Sequence, residues 1–155
     1  MKDAPLLSQR LGYLLKQAQG RLSAELGEAL APFRLHPREL AVLAVIHESA
    51  EQPSQMELAE WICLDRTSMV GAIDSLERNG YVERRRSDLD RRRNVITLTP
   101  EGERCLAEAE RARERVERSF LAPLDPQAAA ALVDALATLL DTHGAGPMGH
   151  RNCPS

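Results

Sequence analysis

Hydrophobic positions recur along most of this chain at three- and four-residue steps. In the first thirty residues Leu7, Leu11, Leu14, Leu15, Ala18, Leu22, Leu26 and Leu30 fall on one side of a single long amphipathic helix, expected over Leu6–Leu30. The segment "APFRLHP" ends it, and Pro37 suits the first turn of a second helix, "PRELAVLAVIHES". After the turn "AEQPS", Ser54 and Glu57 form a capping box for the helix "QMELAEWICL". Asp65 stands where the cap of the next helix belongs, and Gly80 offers a left-handed stop for "RTSMVGAIDSLERN". The period then changes. "YVERRR" and "NVITLT" read as two strands joined by a projecting loop, "SDLDRR". Thr99-Pro100-Glu101 opens a densely charged helix, and Asp125-Pro126 opens a last one, "QAAAALVDALATLLDTH".

The expected fold class is mainly α with a small antiparallel β-hairpin. Helix, helix, tight turn, helix, hairpin is the order of a winged helix-turn-helix. This reading divides the chain into an N-terminal helix (1–34), a winged helix-turn-helix lobe (35–99), C-terminal helices (100–143) and a Gly- and Pro-rich tail (144–155) expected to be disordered. On the third helix of the lobe Met69, Ala72, Ile73 and Leu76 make a narrow apolar stripe. The opposite face carries Thr67, Gly71, Asp74, Ser75 and Arg78, with Ser68 and Val70 at its borders. Such a small, polar face suits a major groove about 12 Å wide. Gly71 costs about 1 kcal/mol relative to Ala inside a helix; close approach to DNA would justify it, and simple tolerance on an exposed face explains it equally well. Asp74 could pair with Arg78 at i+4 or anchor an arginine of the wing.

Charge sharpens the picture. The chain has 155 residues, a net charge of −3 and 3% aromatic residues, so its core is built of aliphatic residues on packed helices. Yet "ERRRSDLDRRRN", Glu83 to Asn94, holds six Arg against three acids. A hairpin loop carrying Arg91, Arg92 and Arg93 has the chemistry to enter a minor groove, where negative potential is concentrated. Arg84, Arg85 and Arg86 are expected to alternate between phosphates and the domain's own acids, with Asp88 and Asp90 orienting guanidiniums. The ordinary alternative is a solvated charged hairpin, which six Arg without a Lys make less apt.

Cys63, Cys105 and Cys153 show no CxxC pair and no metal-ligand spacing, so neither a zinc site nor a disulfide framework is expected, and no cofactor or metal is implied. No apolar run reaches the length of a membrane span and the first residues lack a signal-peptide core. The expectation is a cytoplasmic protein, nucleoid-associated when bound to DNA. No Gly-rich phosphate loop or Ser/His/Asp grouping suggests an enzyme. A winged helix used for protein contacts would present an apolar wing, and this one reads as Arg and Asp.

The stretch Leu64 to Gly102, through "DRTSMV", "LERNGYVER", "DLDRR" and "LTPEG", resembles the recognition helix and wing of the MarR family of bacterial transcription regulators. The resemblance implies a homodimer, with 1–34 as the N-terminal dimerisation helix and 100–143 as the C-terminal dimerisation helices, on a pseudo-palindromic double-stranded DNA operator; it implies a repressor released when a small phenolic or anionic effector binds. It places Arg92 in the minor groove, held by Asp90. Arg66 falls near a phosphate, and Thr67, Ser68, Val70 and Gly71 fall in the major groove. With Arg78, Arg84, Arg86, Arg91 and Arg93 these complete the expected DNA contacts. Many relatives carry a basic residue where Gly71 stands, which affects base preference. Candidate effector contacts are Tyr13, Gln17, His47 and Trp61. The alternative is a thiol-based redox-responsive regulator using Cys63, although a cysteine there is also apt as a small hydrophobe. Cys105, among Glu101, Glu103 and Glu108, is expected to have a raised pKa.

Overall fold

The computed structural model describes Leu7 and residues 9–142; the Gly- and Pro-rich tail expected to be disordered lies outside the described residues. Its elements are α1 (Leu11–Leu30), a short 3-10 turn (Ala31–Phe33), α2 (Pro37–Glu48), α3 (Gln55–Ile62), α4 (Arg66–Arg78), β1 (Val82–Arg86), β2 (Asn94–Leu98), α5 (Pro100–Leu121) and α6 (Pro126–Thr142). The mainly helical class with one antiparallel hairpin is the one anticipated. α1 begins later than the leucine spacing suggests. A turn closed by the Arg10 N–H on the Leu7 carbonyl (3.0 Å) precedes it, and Arg10 supplies no capping side chain.

Local chemistry explains the boundaries. Ser54 Oγ accepts from the Glu57 N–H, and Glu57 Oε2 accepts from the Ser54 N–H at 2.7 Å, so two of the orphan donors at the start of α3 are satisfied reciprocally. Asp65 accepts from the Ser68 N–H at 2.9 Å to open α4, and Thr99 accepts from the Gly102 N–H at 3.0 Å to open α5. α2 has a device the spacing does not reveal: buried Glu39 turns back and accepts the His36 N–H at 2.9 Å.

The core lies in the lobe. Leu40, Leu43 and Ile46 of α2, Leu58 of α3, Met69, Ala72, Ile73 and Leu76 of α4, Val82 and Ile96 of the hairpin, and Leu106 and Ala109 of α5 form one buried cluster. The four α4 residues are the apolar stripe anticipated from helical spacing. Gly80 ends that helix with φ +77°, in the left-handed region open to glycine. Gly102 is needed for another reason: a Cβ there would stand 1.9 Å from the Tyr81 carbonyl oxygen, so only glycine lets α5 pass this close to the start of the wing.

β1 and β2 pair antiparallel, with Val82 opposite Leu98 and Arg86 opposite Asn94. The hairpin is joined to the lobe through the Ile96 N–H, which donates to the Pro53 carbonyl at 2.8 Å. α6 contributes nothing to this core: none of its residues is buried.

Candidate nucleic-acid interface

The outward face of α4 and the hairpin form one continuous polar surface. Arg66, Thr67, Val70, Gly71, Asp74 and Arg78 are exposed; Ser68 is half-buried, and its hydroxyl donates to Asp65 at 2.6 Å. An added Cβ on Gly71 would meet open space. The Arg78 Nε donates to the Asp74 backbone carbonyl at 3.3 Å rather than to its carboxylate.

That carboxylate belongs to the wing. Arg84 reaches from β1 across α4, placing one guanidinium nitrogen 2.5 Å from Asp74 Oδ1 and the other against Glu77. The Gln55 side-chain oxygen of α3 accepts from the same arginine at 3.3 Å. Burial alone would lower the Arg84 pKa, but the two carboxylates more than reverse this and raise it. Of the two partners the sequence leaves open for Asp74, the wing arginine is the one the structure shows.

A second arginine expected to face DNA is also tied inward. Arg93 is paired with Glu57, the residue that caps α3. Burial pushes the Glu57 carboxyl up, but hydrogen bonds from Ser54 and Arg93 outweigh it and leave the pKa below the usual value. Arg85 approaches Asp88 at 3.5 Å. Arg66, Arg86, Arg91 and Arg92 make no ion pair or side-chain hydrogen bond among the described residues, and Arg91 and Arg92 lie exposed on the wing loop.

The loop is organised by two residues. Ser87, buried beneath the wing, accepts through its hydroxyl from the Leu89 and Asp90 N–H groups at 3.2 and 3.3 Å. Asp90 Oδ1 accepts from the Arg92 backbone N–H at 3.0 Å, and its carbonyl accepts from the Arg93 N–H at 2.9 Å. Asp90 therefore positions Arg92 through the backbone, a correction to the expectation that it would hold the guanidinium. Short side chains that bond the backbone two or three residues on favour such turns, and the Ser87–Asp90 spacing is the signal for it in the sequence. The wing is also not purely Arg and Asp: Leu89 is 95% exposed at its tip.

The structure does not bring the four candidate effector residues together. His47 Nδ1 lies 2.9 Å from Glu103 and lines a cavity of about 350 Å³ with Glu48, Glu103, Leu106 and Glu110, which Tyr13, Gln17 and Trp61 do not line. Trp61 packs against the lobe core, Tyr13 is half-buried on α1 and Gln17 is exposed. A different cavity, about 590 Å³, opens between the end of α1 and the end of α4; Arg34, His36, Ser75, Arg78 and Asn79 line it without a carboxylate. Arg34 holds φ +56°, an uncommon conformation for a residue with a Cβ.

Cys63 closes α3 in the left-handed region, φ +55°, and is disulfide-bonded rather than a free thiol, which departs from the expectation of an unpaired small hydrophobe. Cys105 is free and buried. Burial, aided by Glu101 and Glu108, pushes its thiol up. Of the three acids named from the sequence Glu101 and Glu108 contribute, and burial is the larger cause. Among the described residues no cluster of His, Cys, Asp and Glu could hold a metal ion, and no helix is long and apolar enough to cross a membrane.

Helix-turn-helix, capped recognition helix and basic hairpin together define a winged helix-turn-helix protein. A model of the MarR family matches residues 35–93. The transcriptional repressor CouR, solved bound to a 23-mer DNA duplex, is 33% identical over 87% of this chain and 95% of that one, with a TM-score of 0.80. CouR from Rhodococcus jostii RHA1, solved bound to p-coumaroyl-CoA, is 29% identical over 86% of this chain and 93% of that one, with a TM-score of 0.75. A MarR-family regulator from Rhodococcus sp. RHA1 is 28% identical over 86% and 94%, with a TM-score of 0.78. The chain belongs to the MarR family of transcription regulators.

Proposed function

We propose that this protein is a homodimeric regulator that binds a pseudo-palindromic DNA operator as a repressor and leaves it when a small anionic or phenolic effector binds. The observation that carries the DNA reading is the pairing of a small polar face on α4 with Arg91 and Arg92, which have no ion pair among the described residues and stand at the end of an internally bonded wing loop. In this reading α4 enters the major groove with Thr67, Ser68, Val70 and Gly71 near base edges. Arg66 and Arg86 meet phosphates, and the loop arginines reach the adjacent minor groove. CouR in complex with a DNA duplex supports it.

The dimer is supported by apolar surface that one chain leaves uncovered. Leu132, Val133, Leu136, Leu139 and Leu140 of α6, and Leu11, Leu14 and Leu15 of α1, are exposed. Scattered exposed leucines are ordinary, but a continuous row along a helix with no buried residue marks an interface. A two-fold dimer would present two α4 helices about one DNA turn apart. The effector reading draws on CouR bound to p-coumaroyl-CoA and on the cavity of about 590 Å³, whose cationic lining complements an anionic group.

Fluorescence anisotropy of the full chain against labelled duplexes from the region upstream of its own gene tests the reading. Binding that weakens by about 10³–10⁵ between roughly 50 and 200 mM salt is expected for 6–10 phosphate contacts. Weak binding without sequence preference would contradict it.

A further inference from the structure

The DNA-facing surface carries a feature that simple charge matching does not explain. Asp74 lies on the outward face of α4, its side chain 52% exposed, where a carboxylate would repel phosphates. Arg84, a wing cation in the right place to touch DNA, is instead held by three acceptors: Asp74 and Glu77 of α4 and Gln55 of α3. Its backbone N–H also donates to Glu77 at 3.4 Å. One guanidinium thus spans two helices and the first strand of the wing. The loop end and the second strand are tied separately, through Arg93 just before β2 to Glu57 and through the Ile96 N–H to the Pro53 carbonyl.

We propose that Arg84 and Asp74 are positioning residues for DNA recognition: their bridge sets the angle of the wing against α4, and neither side chain contacts DNA. The proposal rests on the DNA-binding reading above and adds a division of labour among the arginines. A guanidinium is planar and offers its donors as a rigid fork, so two carboxylates approached from one strand fix that strand's orientation more tightly than one contact does. Because the bridge is partly exposed, it adds little to global stability. Its effect falls on geometry. If the wing loses this tie, Arg91 and Arg92 reach the minor groove out of register with α4 in the major groove, and the two contacts cease to reinforce each other. Asp74 therefore assists binding although its charge alone opposes it.

The test has two arms and uses the full-length protein. In the first, hydrogen exchange follows the amides of residues 82–86 without DNA in Asp74→Ala and Arg84→Gln. Faster exchange in both is expected, and exchange unchanged from the parent would overturn the bridge as a tether. In the second, anisotropy measures affinity and its salt dependence on a duplex selected by the parent protein from a random pool. Asp74→Ala is expected to weaken binding by roughly three- to tenfold, with the salt slope unchanged. Arg84→Lys is expected to fall with it, since an ammonium cannot span both carboxylates, and Asp74→Ala/Arg84→Gln is expected to bind no worse than Arg84→Gln alone. Tighter binding by Asp74→Ala, or a salt slope lowered by about 1 in Arg84→Gln with binding restored by Arg84→Lys, would make Arg84 a phosphate contact and overturn the proposal. A parent protein that selects no duplex would sink the DNA-binding reading, and the exchange arm would still decide the bridge.

Discussion

The winged lobe and α6 solve the problem of apolar surface in opposite ways. The lobe covers its own: α2, α3, α4 and the hairpin turn their leucines, isoleucines and valines into one cluster closed by α5. α6 is at least as rich in leucine and alanine and buries none of it. The lobe is the part that carries the polar DNA-facing surface, and it is complete within one chain. The row of leucines on α6 is left exposed among the described residues, which is the surface the proposed dimer would cover. The difference separates two kinds of sequence signal. An apolar stripe met by neighbouring stripes is a core, and one left exposed along a helix is a candidate interface.

The largest expected effect breaks the unsatisfied side of that contrast. Leu136→Glu combined with Leu139→Glu places charge in the proposed dimer seam and is expected to yield monomers in sedimentation velocity at micromolar concentration. A dimer that persisted would move the interface elsewhere. On the satisfied side, Leu76→Ala removes a fully buried side chain from α4 and is expected to cost about 2–5 kcal/mol in denaturant unfolding. The same change at Leu140, 54% exposed in the single chain and part of the proposed seam, is expected to weaken dimer association in sedimentation velocity more than it disturbs the lobe's core.

Smaller effects test the caps. Ser54→Ala is expected to cost about 1 kcal/mol. It also removes bonds that hold the Glu57 pKa down, so it carries a pH signature. A carboxylate with a depressed folded pKa stabilises the fold fully above its unfolded value of about 4.3 and loses that contribution as pH falls through the folded value. The cost of Ser54→Ala should therefore be full at neutral pH and shrink on acidification through the carboxylate range. A cost independent of pH would separate Ser54 from Glu57. Gly71→Ala is the smallest: open space around the position predicts a stability gain of up to about 1 kcal/mol in thermal unfolding. A loss of DNA affinity in the same variant would assign that glycine to close approach.

Much of this is legible in the sequence because it depends on near neighbours. The α4 stripe, the capping pairs Ser54–Glu57 and Asp65–Ser68, and the stop at Gly80 all follow from spacing within one turn or two. What escapes depends on distance in space. Glu57 lies thirty-six positions from Arg93, so nothing local shows that this arginine is already paired. Arg84 reads as a phosphate contact for the same reason, its acceptors being contributed by two other elements. The candidate effector residues share suitable chemistry but stand on three helices, Tyr13 and Gln17 on α1, His47 on α2 and Trp61 on α3, and only His47 lines the cavity beside Glu103. Asp90, expected to hold the Arg92 guanidinium, accepts from the Arg92 backbone N–H instead. Spacing alone cannot tell a side chain that bonds a backbone N–H from one that bonds a guanidinium.

The wing arginines divide into those paired within the fold and those without an ion pair among the described residues, proposed above to meet DNA, and one comparison tests that division. Salt-dependent affinity would be measured by anisotropy for the parent, Arg92→Ala and Arg84→Gln on a single operator duplex. Loss of Arg92 is expected to reduce affinity and lower the salt slope by about 1, whereas loss of Arg84 reduces affinity with the slope preserved. Equal slopes and unchanged affinity in Arg92→Ala would remove the wing from DNA recognition and contradict the division.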